Sequence, residues 1–299
     1  MILGFILYIC KNKRKTMKKE DIKKILGKQD NAKDYLKQLS KYNDNLNLPI
    51  TKKGNVNLKS DKLWDFVEKS WESDLSKGLI RKMFRQTPKY IRGKNALNTL
   101  TKFKEEFIIK FKEIGWAFTQ SDFDNYIQRI NNNPNMTRDE KDERIATDCV
   151  KNSWMKELNT LRNDFIETLI FEKSKNIIPT LSHSRGVDFF INSEKWDQKV
   201  AKSPTNQFKK DFGDDYINTA INKPELVAEY LYKYQDEERF DADNRILVVY
   251  LKEDISEENI VKTIDKIDLK NPLNIIFNYK HKKTGIKEYN SKCYVILLY

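Results

Sequence analysis

The chain has 299 residues, with 56 Lys+Arg against 44 Asp+Glu and a formal net charge of +12. Apolar residues make up 39% and aromatic residues 12%, enough to build a packed core, which excludes disorder throughout. Three scattered cysteines and two histidines exclude a disulfide framework and a His-rich metal site, and fit a reducing compartment.

The positive charge is unevenly spread. Residues 1–150 hold 32 Lys+Arg and 20 Asp+Glu, whereas residues 151–299 hold 24 of each. A lysine-rich composition alone would raise both halves. A basic half joined to a neutral one predicts a polyanion-gripping part attached to something with a different task.

In chain order, Met1–Cys10 is an apolar run of ten followed by a basic stretch. As a helix it would span about 15 Å, half a bilayer core. It also lacks a basic segment ahead of it and a small-residue cleavage site, so it does not read as a signal peptide. Residues 1–16 are therefore taken as an extension, with Met17 as an alternative start. The protein is expected to be cytoplasmic, without a membrane partner.

From Lys18 to about Lys173 the apolar spacing is helical. Ile22, Ile25 and Leu26, then Tyr35, Leu36 and Leu39, fit one or two helices. Leu63, Phe66, Val67 and Trp71 fit another, and Leu97, Leu100, Phe103, Phe107, Ile108 and Phe111 mark a further one over 96–111. A helix over 121–130 stops at Asn131–Asn135. Thr137–Glu140 has the form of a capping box, and Trp154, Leu158, Leu161, Phe165 and Leu169 mark a long helix ending near Ser174. After Pro179 the period becomes that of strands. Gly186–Ile191 and Lys195–Ala201 read as a hairpin, 205–234 as helical, and Arg245–Leu251 as a buried strand. An amphipathic helix over 257–267 and two closing strands, 274–279 and 293–298, complete the chain. The expected fold is mixed α/β: a central mixed sheet flanked by helices, behind a largely helical N-terminal part. The expected division is 1–16, a basic helical region 17–150, and an α/β core 151–299, with the boundary in 140–152.

The chemistry-bearing segment lies in the hairpin. Alternation along its second strand puts Asp197 and Lys199 on one face and Trp196, Gln198 and Val200 on the other. An acid beside a lysine on an apolar strand must be satisfied by pairing, a metal or a ligand. Asp188 comes from the strand before, so two carboxylates and an ammonium can converge. Carboxylate oxygens suit Mg²⁺, and a lysine suits the charge that develops on a cleaved phosphodiester. Asp-X-Lys triplets also occur at Asp21–Lys23, Asp139–Lys141 and Asp268–Lys270, so it is the strand context that distinguishes this one. The plain structural alternative is a cross-strand ion pair on an amphipathic hairpin.

Val187-Asp188, eight intervening residues and Asp197-Gln198-Lys199 resemble the PD-(D/E)XK nuclease superfamily, the restriction-endonuclease-like fold. The resemblance covers roughly 154–252, with Val187 where the family's name has Pro. It implies that Asp188 and Asp197 are metal-binding carboxylates, that Gln198 offers its backbone carbonyl to the metal, and that Lys199 is the catalytic lysine. It also implies a further acid on the preceding helix, for which Glu167 is the candidate and Asp164 its rival.

The basic run 77–92 supplies candidate DNA-backbone contacts in Arg81, Lys82, Arg85, Lys89 and Arg92. No Gly-rich phosphate loop of the GxxxxGK[ST] kind occurs, so no nucleotide cofactor is expected. Together these features predict a Mg²⁺-dependent deoxyribonuclease: an endonuclease on double-stranded DNA, of the type II restriction kind and a homodimer by symmetry. The alternatives are a repair or mobile-element nuclease on the same fold and a non-catalytic nucleic-acid-binding protein.

Overall fold

A computed structural model describes residues 17–112, 115–184, 186–234, 244–252, 255–281 and 284–299; the expected extension 1–16 lies outside the described residues. The chain begins with α1 (Lys19–Leu26), α2 (Gln29–Leu39), α3 (Ser60–Lys69), α4 (Ser73–Phe84), α5 (Pro88–Phe111), α6 (Gln120–Asn131) and α7 (Arg138–Lys173). There follow β1 (Ile177–Ser184), β2 (Val187–Ile191), β3 (Glu194–Ala201), α8 (Asn206–Phe212), α9 (Tyr216–Asn222) and α10 (Pro224–Lys233). The chain closes with β4 (Arg245–Tyr250), α11 (Glu257–Asp265), β5 (Leu273–His281) and β6 (Gly285–Leu298). The strands are ordered β1-β2-β3-β4-β6-β5 in a six-stranded mixed sheet. This is the expected mixed α/β architecture with a helical N-terminal part. Among the described residues, no helix is long and apolar enough to cross a membrane.

The chain forms two compact units. One takes the residues up to Arg85 and Asn176–Glu194; the other takes Gln86–Lys175 and Lys195–Tyr299. In the first, the helical spacing works as read. Ile22, Ile25 and Leu26 pack with Tyr35, Leu36 and Leu39, with Leu63 and Val67 of α3, and with Leu79, Ile80 and Met83 of α4. Ile178, Val187 and Phe190 from β1 and β2 join the same core. Strand β1 was not foreseen, because Pro179 and the polar residues around it hide the strand period. It pairs antiparallel with β2, Ile177 opposite Ile191. Gly27 ends α1 at φ 70°, where a Cβ would also collide with the Ser182 side chain on β1. Glycine meets both demands.

In the second unit the capping box forms as expected, Thr137 Oγ1 accepting from the Glu140 amide and Glu140 from the Thr137 amide. The helix it opens does not stop in the 140s. It runs unbroken for 36 residues, so the boundary expected in 140–152 falls inside it. Its early turns are mostly exposed, whereas Met155, Leu158, Leu161, Phe165, Ile166, Ile170 and Phe171 are buried. The change of period near 150 thus coincides with a change of burial along one helix.

Helix α5 starts at Thr87, whose hydroxyl accepts from the Tyr90 amide, with Pro88 at its first position. It packs along α7 through Ala96, Leu100 and Phe107, and Trp154 of α7 meets the rings of Phe103 and Phe111 at 5.4 and 5.6 Å. Leu97 and Ile108, expected on the same face, are exposed, because the seam with α7 is narrower than the apolar pattern. The two helices meet tightly at Gly93, where a Cβ would overlap the Asp164 carbonyl and the Thr168 hydroxyl of α7.

Strand β4 is buried along its whole length and parallel to both β3 and β6, which accounts for its uninterrupted apolar sequence. Leu247 and Val249 share a core with Phe208, Ala220, Val227, Ala228 and Tyr232 of α8–α10. Alternation sends Ile246, Val248 and Tyr250 to the opposite face, where Trp116 lies 5.1 Å from the Tyr250 ring. Burying such a side chain contributes about 1.5–3 kcal/mol.

Because the obstacle at Gly93 includes backbone, it cannot rotate away. Gly93→Ala is expected to lower stability by about 1–3 kcal/mol, read as a lower urea midpoint at unchanged slope; a wild-type midpoint would show that α5 and α7 separate without cost.

Candidate active site

Strand β3 presents the predicted acid and lysine on one side. Lys199 Nζ lies 3.5 Å from Asp197 Oδ2, the consequence of a two-residue separation on an extended strand. Their exposures differ in a useful way. Asp197 is only 7% exposed, whereas the Lys199 side chain is 43% exposed. On the other side of β3, Trp196 stacks on Tyr294 with ring centroids 4.6 Å apart, so that face is core.

The sequence reading missed a third member. Arg245, the first residue of β4, is the register partner of Asp197 across the parallel pair. Its Nε lies 4.0 Å from Asp197 Oδ2, and its guanidinium sits 4.9 Å over the Tyr232 ring of α10. Arg245 is 5% exposed. A buried carboxylate far from any cation would be costly; here it has an arginine on the neighbouring strand and a lysine on its own. The detectable signal was a charged residue at the head of an otherwise apolar strand. Its partner was not detectable, because register is a tertiary fact.

Asp188 lies on β2 in the first unit, half-buried between the buried Val187 and Phe189. Gln198 lies between Asp197 and Lys199 in β3 and opposite Ile246 of β4. Glu167, the expected fourth acid, is buried on α7 and ion-paired with Lys89 of α5. Its rival Asp164, one turn earlier, accepts from Arg92 Nε at 2.8 Å. Tyr90 donates to Glu172 at 2.8 Å, so three successive polar contacts fasten the start of α5 to the end of α7.

The residues of the expected DNA-gripping run are differently placed. Arg81 is buried and donates to the Ile177 carbonyl at 2.7 Å, tying α4 to β1; it is not available to a phosphate. Lys89 and Arg92 each pair with a buried carboxylate of α7, with their own side chains 37% and 49% exposed. Lys82 and Arg85 are exposed.

Magnesium is the cofactor the resemblance implies. The carboxylate of Asp197 is a hard oxygen donor, yet its near neighbours on β3 and β4 are cations. Among the described residues, no group of three or more His, Cys, Asp or Glu side chains is placed to hold a metal. This donor chemistry does not make an all-protein cage. Mg²⁺ is commonly held by one or two carboxylates, with its remaining positions left to water and substrate phosphate.

Comparison with protein-family models, curated proteins and solved structures finds no match to this chain.

The electrostatic dependence of Asp197 on Arg245 is measurable without any assay of function. In a double-mutant cycle with Asp197→Asn and Arg245→Met, urea unfolding is expected to give a coupling energy of about 1–3 kcal/mol. Strict additivity would show that the two groups do not sense each other.

Proposed function

We propose that the protein is a Mg²⁺-dependent endonuclease acting on double-stranded DNA. The observation that carries this reading is the Asp197–Lys199 pair on β3, with its acid buried and its lysine half open to solvent. Support also comes from the order of elements around it: a long helix, three successive strands, helices, then a strand parallel to the third. In this reading Asp197, the Gln198 backbone carbonyl and, from the sequence pattern, Asp188 hold the cation. When bound, the cation polarises the scissile phosphate and makes a coordinated water more acidic. Lys199 Nζ offers N–H donors to the negative charge that grows on the phosphate oxygens. Arg245 supports Asp197 from the neighbouring strand, and the core beneath them keeps β3 fixed. Glu167, the further acid that the resemblance implies, is paired with Lys89 of α5. Sequence-specific cutting, action as a homodimer and a cytoplasmic setting are the finer parts of the same proposal.

One observation favours a second reading. Asp197 has two cations close to it and no described trio of acids around it, as expected of a non-catalytic nucleic-acid-binding protein in which the cluster is purely structural.

Plasmid DNA with the protein and Mg²⁺, against an EDTA control, separates the two. Discrete fragments are expected, with Lys199→Ala, Asp197→Ala and Asp188→Ala each lowering the rate by roughly 10²–10⁴ while duplex binding in EDTA persists. Binding without cleavage by the wild-type protein would favour the second reading, and full activity in the lysine variant would remove Lys199 from the site.

A further inference from the structure

Between α2 and α3 the chain doubles back over residues 49–57. Ile50 and Val56 form an antiparallel bridge, flanked by hydrogen bonds from the Asn57 amide to the Pro49 carbonyl and from the Thr51 amide to the Asn55 carbonyl, both 2.8 Å. Thr51 closes the tip. Its carbonyl accepts from the Gly54 amide at 2.8 Å and its hydroxyl from the Asn55 amide at 3.1 Å. Gly54 adopts φ 73°, a left-handed conformation that suits glycine at a turn this tight. The foot is anchored as well: Val56 is buried in the core of the first unit, with Leu48 and Leu58 packed against it. A backbone fixed at foot and tip carries Thr51, Lys52, Lys53, Gly54 and Asn55, all of them exposed.

The two cations of this tip stand side by side on a hydrogen-bonded turn. Lys19 is paired with Asp65, Lys89 with Glu167 and Arg92 with Asp164. Lys52 and Lys53 form no ion pair among the described residues. Two adjacent ammonium groups on a hydrogen-bonded turn repel one another, and an anion between or beside them relieves that repulsion. The Asn55 carboxamide, a donor and acceptor, stands next to them. A two-stranded ribbon of this kind fits the major groove of B-form DNA, about 12 Å wide, whereas the deep, narrow major groove of A-form RNA excludes it.

We propose that the 49–57 hairpin is a duplex-DNA contact element of the first unit, with Lys52 and Lys53 on phosphates and Asn55 facing the groove. The inference rests on the reading of the protein as DNA-directed. It adds to the basic run 77–92, of which Arg81 is buried while Lys89 and Arg92 are paired with carboxylates of α7.

The test is fluorescence anisotropy of the full chain on a labelled duplex of mixed sequence, in EDTA, over a range of salt. The Lys52→Ala/Lys53→Ala protein is expected to bind about tenfold more weakly at low salt, and its log–log salt slope to be shallower by about 2. Its melting temperature should match wild type. Lys52→Arg/Lys53→Arg should recover the affinity. The control Lys280→Ala/Lys287→Ala removes two exposed charges from the β5–β6 hairpin and should change binding far less. Unaltered affinity and slope in the Lys52/Lys53 variant, beside a wild type that binds, would overturn the hairpin while leaving the DNA-directed reading standing. An equal loss in the control, or an equal loss on duplex RNA, would also overturn it. A wild-type protein that neither binds nor cuts duplex DNA would instead remove the reading on which the inference rests.

Discussion

A carboxylate taken out of water must be answered by positive charge close by, and Asp197 is answered by Arg245 through the register of two parallel strands. That register is not set by the ion pair. It is set by β4, whose residues are buried along the whole strand. Slipping β4 by one residue would place Ile246 opposite Asp197 and turn every apolar side chain of β4 to the wrong layer. The cost of that slip falls on the core, so the polar cluster inherits its geometry from apolar packing. Asp197 depends on Arg245, Arg245 depends on the Tyr232 ring beneath it, and Tyr232 is itself a member of the α8–α10 core.

What could be read from the sequence was mostly what depends on neighbours along the chain. The capping box at Thr137 needs only residues three apart, and it forms. The shared face of Asp197 and Lys199 needs only the two-residue strand period, and their charged atoms do come together. Features set across the fold were not readable. β1 escaped because its pairing with β2, not its own composition, makes it a strand. The unbroken run of α7 escaped because the change in its exposed and buried faces imitates a boundary. Glu167 and Asp164 could be identified as helix acids near the motif. Nothing in the sequence could say that α5 would bring Lys89 and Arg92 against them.

The same limit applies to net charge. A count treats all Lys and Arg residues alike, but the fold sorts them. The cations buried among the described residues are arginines: Arg81 on a strand carbonyl, Arg162 over the Trp116 ring at 4.9 Å, and Arg245 beside Asp197. This follows from chemistry. A guanidinium is planar, weakly hydrated and supplied with several fixed donors, so it survives burial better than an ammonium. Lysines remain at the rim or in solvent, as Lys199 and the Lys52–Lys53 tip do. Between residues 17 and 85 there are 17 Lys+Arg against 10 Asp+Glu, and the charge that can reach a polyanion is the fraction left after such internal uses.

Sign matters at the candidate site too. One carboxylate with an arginine and a lysine beside it leaves a local surplus of positive charge on β3 and β4, which by itself attracts an anion more readily than a metal cation. A phosphodiester would supply negative charge to such a place. A Mg²⁺ that shares its coordination between carboxylate and substrate phosphate suits that balance better than one held by protein alone. On the proposed reading the division of exposure has a use: Arg245, buried beside Asp197, offsets its charge, so the half-exposed Lys199 can turn its donors outward without stranding the carboxylate behind it.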